Sequence, residues 1–133
     1  MNTIMIFFIG LTTFLGTTDV TTQNILYHSP SRTDKGSGVM TQDQNRILIK
    51  DKTKLEWQDG RGTVKYAFNI EHVTGSLSLN KSGEITYQVS SEKVSGRFVV
   101  KKTNSQVIIS AMLVEDRKPL IVEFEISNFS LQD

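Results

Sequence analysis

The chain has 133 residues, enough for one domain, with 38% hydrophobic and 22% charged residues and a formal net charge of +1. Charges of both signs are scattered along it, so it lacks the basic stripe that nucleic acid requires. The absence of cysteine excludes disulfides, thiol nucleophiles and thiolate metal sites.

Residues 1–18, MNTIMIFFIGLTTFLGTT, carry no charge and hold an apolar run from Ile4 to Leu15. A run of about a dozen suits the hydrophobic region of a signal peptide, whereas roughly 20 are needed to cross a bilayer. The expectation is a signal peptide over 1–18, a secreted or periplasmic protein and no stable membrane span. The alternatives are an uncleaved anchor or a buried first element. Residues 19–45 form a polar segment in which QNILYHS reads as one short strand. The stretch PSRTDKGSGVMTQDQN reads as loop by its Pro, Gly, Ser and Asp content.

Over 46–133 the pattern becomes short alternating runs between turn residues, the signature of strands. One face collects Ile47, Ile49, Leu55, Trp57, Val64, Tyr66, Phe68, Ile70, His72, Leu77 and Leu79. It continues with Ile85, Tyr87, Val89, Val94, Gly96, Phe98, Val100, Lys102, Val107, Ile109, Ala111, Leu113, Leu120, Val122, Phe124 and Ile126. A slip of one residue would send a whole strand's side chains to the other face, and hairpin turns can be placed so that this face is kept throughout. DKT at 51–53 joins Ile49 to Leu55, and DGRG at 59–62 sets Trp57 opposite Val64. TG at 74–75 sets His72 opposite Leu77, and KSG at 81–83 pairs Leu79 with Ile85. SSEK pairs Val89 with Val94 and Tyr87 with Gly96. NS at 104–105 pairs Val100 with Ile109, and EDRK pairs Leu113 with Leu120.

The expected fold is therefore all-β: an up-and-down antiparallel meander of about eight strands. A sheet with one apolar face must cover it, so the meander should curl into a lipocalin-like barrel or half-open cone, with a two-layer β-sandwich as the alternative. The pattern resembles small exported bacterial proteins with lipocalin-like barrels. The likeness is one of pattern alone: the lipocalin G-x-W is absent, since Trp57 follows Leu55–Glu56.

No catalytic motif, metal-ligand spacing or phosphate-binding glycine loop is present, and neither a cofactor nor an enzymatic activity is expected. An eight-stranded barrel can hold one small ligand. The expected function is binding of a small apolar or amphipathic molecule in the interior. Trp57, Tyr66, Phe68, Tyr87, Phe98 and Phe124 would line that interior, with His72 and Lys102 at its rim. A second apolar surface, with Met112, Val114 and Ile121 on the outer wall, suits a protein partner or a homodimer. The first expectation is that the chain's own Ile25, Leu26, Tyr27, Val39 and Met40 cover that surface, with a partner or second copy next and a lipid surface as the remaining alternative.

Overall fold

A computed structural model describes residues 3–7, 24–78 and 81–132. Among them lie β1 (Thr3–Phe7), β2 (Asn24–Ser29), β3 (Arg32–Asp34), β4 (Met40–Thr41), β5 (Asn45–Lys50) and β6 (Lys54–Asp59). There follow β7 (Val64–Ser76), β8 (Gly83–Ser90), β9 (Val94–Lys102), β10 (Val107–Glu115), β11 (Lys118–Ile126) and β12 (Asn128–Gln132). No helix occurs among the described residues. All the strands join one antiparallel sheet in the order β1-β12-β2-β5-β6-β7-β8-β9-β10-β11-β3-β4. The fold is all-β, and β5 to β11 form the expected meander. The signal-peptide segment falls largely on residues outside those described; within it, Thr3–Phe7 runs antiparallel beside β12.

The two ends of the meander are brought together by their flanking strands. Asn24 lies opposite Gln132 and His28 opposite Asn128, while Thr33 lies opposite Glu123 and Asp34 opposite Val122. Thus β2–β3 and β11–β12 keep one register along their length. The ladder lapses between Ser29 and Arg32, where Pro30 has no N–H to offer. The sheet is therefore not closed into a barrel; it curls on itself in a form that suits either a half-open cone or a sandwich. Across the lapse, the Ser127 N–H donates to the His28 carbonyl at 2.9 Å, and the buried Ser29 hydroxyl donates to the Glu125 carbonyl at 2.8 Å.

Curling gives the apolar faces a shared interior. Ile25, Tyr27, Ile49, Leu55, Trp57, Ile85, Phe98, Val100, Ile109, Ala111, Val122 and Phe124 are all buried. Trp57 on β6 meets Phe124 on β11 edge to face, with ring centroids 5.2 Å apart, and Phe68 on β7 meets Phe98 on β9 at 5.6 Å. Such rings contribute both buried area and quadrupole attraction.

The expected pairings hold for β5–β6 and for β9–β10–β11, where Ile49 faces Leu55, Val100 faces Ile109 and Leu113 faces Leu120. Between β6 and β9 the register differs. A bulge between Trp57 and Gln58 sets Trp57 opposite Tyr66 and Val64 opposite Gln58, leaving Val64 exposed. The hairpin expected at Thr74–Gly75 does not form, because β7 runs unbroken through it. Gly75 keeps the positive φ of 88° that a turn glycine would have, but uses it inside the strand. A Cβ there would come within 2.5 Å of the Glu84 carbonyl oxygen. Ile85 consequently faces Gly75; the expected partner Leu79 lies outside the described residues. A second bulge between Ile70 and His72 puts His72 opposite Gln88, on the outside. Finally, Tyr87 faces Phe98 and Val89 faces Gly96, two residues away from expectation and on the same face.

Candidate functional site

The side chains expected to line a ligand cavity divide into three groups. Trp57, Phe68, Tyr87, Phe98 and Phe124 are all buried and packed into the core, so they fill the interior. His72 is exposed and Lys102 is far away at the other end of the strands, opposite Val107 and Gly83. The Lys102 ammonium donates to the Lys81 carbonyl at 3.3 Å, and partial burial lowers its pKa.

Tyr66 is the third case. It is partly buried, stacked at 5.9 Å on Phe68 and at 5.2 Å from Trp57, and it marks the end of the packed interior. Alternate connections of a meander fall at the same end, so loop 91–93 and the turn at Asp116–Arg117 converge over it. That turn is built from two successive left-handed residues, with φ of 53° and 66°, the conformation of a tight two-residue hairpin. Ser91 closes its own loop by donating its N–H to the Val94 carbonyl at 2.7 Å.

Between these elements lies a depression of about 830 Å³ lined by Tyr66, Glu92, Lys93, Glu115, Asp116, Lys118, Pro119 and Leu120. Its floor is apolar: Tyr66 and Leu120 both pack against the core. Its rim carries charges of both signs. The Tyr66 hydroxyl hydrogen-bonds the Glu115 carboxylate, and its pKa is raised first by burial and then by that anion.

A second depression of about 550 Å³ lies on the other side of loop 91–93, beside Lys54, Glu56, Ala67 and Phe68. It opens because β8 pairs with β7 only as far as Asn69, so residues 64–68 have no strand on that edge. Among the described residues, no three His, Asp or Glu side chains gather in a way that could hold a metal ion. No helix is long and apolar enough to cross a membrane.

The sequence located Tyr66 but missed Glu92, Lys93, Glu115, Asp116 and Lys118. The signal was available in the connectivity: SSEK and EDRK are alternate loops of one meander and must share an end. Leu120 belongs to the inward set while Pro119, opposite Val114, belongs to the outer wall, and both reach this depression because it lies across the sheet's rim.

The outer wall is as expected where β10 meets β11, with Met112 opposite Ile121 and Val114 opposite Pro119. The chain's own segment does not cover it. Ile25 and Tyr27 are in the core, Leu26 is buried opposite Leu48 of β5, and Val39 and Met40 are themselves exposed. Ile121 and Val114 remain 42% and 48% exposed.

No protein-family model matches the chain, and no curated protein or solved structure is detectably similar to it. Its function must be read from its own geometry.

Proposed function

We propose that this is an exported, non-enzymatic binding protein that takes one small amphipathic molecule at the open end of the cone. The observation that carries this function is the depression floored by Tyr66 and Leu120. Ligand sites are typically concave, largely apolar and fringed by a few polar groups. The apolar part of the molecule would lie on the Tyr66 ring and the Leu120 side chain. Its polar head would meet the rim, where Lys93 and Lys118 offer cations and Glu115 holds the phenol in place. With the middle of the cone filled by Trp57, Phe98 and Phe124, the ligand would sit at the mouth and not deep inside.

Anilinonaphthalene sulfonate, displaced by lauric acid, is a direct probe. Saturable dye fluorescence is expected, and Trp57 emission should respond because its ring touches Tyr66. Leu120→Glu should weaken binding at least tenfold while leaving the circular dichroism unchanged. Equal binding by that variant, or none by the wild type, would exclude the mouth as a ligand site.

A further inference from the structure

The pairing of β9, β10 and β11 arranges their outward side chains in four rows: Lys101–Ile108–Glu125, Val99–Ser110–Glu123, Arg97–Met112–Ile121 and Ser95–Val114–Pro119. The intervening residues, from Phe98 and Val100 to Val122 and Phe124, are buried on the other side. Read across the strands, the face has a pattern. The cations Lys101 and Arg97 stand on β9, the apolar Ile108, Met112 and Val114 flank Ser110 on β10, and the carboxylates Glu125 and Glu123 stand on β11. Glu123 already lies 3.7 Å from the Lys35 ammonium. Among the described residues, Lys101, Arg97 and Glu125 join no recorded ion pair, and Arg97 reaches only the Met112 sulfur, at 3.5 Å.

A surface with opposite charges on either side of an apolar stripe is complementary to itself in one orientation. We propose that a second copy of this chain packs face to face on it, about a two-fold axis parallel to β10. In that arrangement β10 lies over its own counterpart, so Ile108 meets Ile108 and Met112 meets Met112. Each β9 then lies over the other copy's β11, which brings Lys101 to Glu125. Turning the axis to run across the strands would set β9 over β9 and β11 over β11, so that Lys101 could not reach Glu125 of the other copy. Charge thus selects one of the two in-plane axes. Twisted sheets pack face to face with strands within about 30° of alignment, which preserves the row-to-row contacts over a stretch this short. A two-fold interface uses the same patch on both subunits, and Val114 and Ile121 would lose their exposure in it. This dimer is independent of the ligand at the mouth.

The test reverses the charges one at a time and then mixes the products. Sedimentation equilibrium should show the wild type as a dimer at high micromolar concentration. Lys101→Glu alone and Glu125→Lys alone should each dimerise at least about tenfold more weakly, because each faces like charge with like. Mixed together, the two variants should form a heterodimer, since both contacts between positions 101 and 125 then join opposite charges, one in its original polarity and one reversed. Both positions are exposed, so folding is not at risk. Met112→Asp should be a folded monomer by circular dichroism and sedimentation. A wild type that stays monomeric, or a mixture no more associated than its components, would overturn the proposal.

Discussion

The indole N–H of Trp57 donates to Oδ1 of Asn45 at 2.9 Å, and both residues are 1% exposed. The Asn45 amide in turn donates to the carbonyl and to the carboxylate of Asp43, each at 3.0 Å. A buried polar atom needs a partner, and this chain of bonds carries the Trp57 N–H out to a half-buried acid at the edge of the core. Asn45→Ala should therefore cost about 1–3 kcal/mol, because it leaves the indole unpaired. Adding Trp57→Phe should cost less in that background than in the wild type. Urea unfolding of the two single variants and the double variant measures the coupling.

Phe124 joins β11 to the opposite wall through Trp57 and is fully buried. Phe124→Ala is expected to lower stability by about 3–5 kcal/mol, as for other large aromatic truncations in cores. Gln88→Ala, an exposed change on β8, should stay within about 0.5 kcal/mol of wild type. Equal effects in urea unfolding would mean that the interior is not packed as described.

Gly96 sits in β9 with φ of 155°, and a Cβ built on it would lie 2.1 Å from the Met112 carbonyl oxygen and 2.8 Å from the Leu113 Cα. Both obstacles are backbone and cannot rotate away. Gly96→Ala should push β9 from β10 and cost about 1–3 kcal/mol, the usual range for overpacking. Thermal unfolding followed by circular dichroism should register it as a lower midpoint.

Burial pushes the Tyr27 phenol well above its ordinary pKa of 10.0, and Tyr87 adds to the shift. The folded state therefore favours the neutral phenol. Its contribution is complete below pH 10, where the unfolded chain is also neutral, and is lost as pH rises through the raised folded value. The wild type should lose stability above about pH 10, and Tyr27→Phe should lose less in the same alkaline titration. At neutral pH the substitution should cost little, because the Tyr27 hydroxyl has no hydrogen-bond partner among the described residues.

The parts of the fold that could be read in the sequence were those where turn and pattern agree. Lys50 to Lys54 and Glu115 to Lys118 close tight turns with left-handed residues, Asp51 and Lys52 in one and Asp116 and Arg117 in the other. Their strands fall into the expected register. Where bulges intervene, alternation misleads. The bulge before His72 reverses the faces for the rest of β7, so His72 turns outward and Val73, opposite Tyr87, turns toward the core. The two-residue slip at Tyr87 could not be detected at all, since a shift of two keeps every side chain on its own face. The strands β3 and β4 read as loop because they are only three and two residues long, and β12 was not recognised. Its inward residues Phe129 and Leu131 are out of phase with Phe124 and Ile126 of β11, which breaks the alternation at Ser127–Asn128.

The common register of residues 24–34 with residues 122–132 has a consequence for how the protein is made. The Ser29 hydroxyl and the Glu125 carbonyl are 96 positions apart, and Ser127 and His28 are 99 apart. Contacts this distant slow folding, and these cannot form at all until the ribosome has delivered the last of those strands. At typical translation speeds the early strand waits on the order of ten seconds with one edge bare. During that interval residues 24–34 are the segment for a chaperone to shield, and the part of the nascent chain most open to pairing with the wrong neighbour.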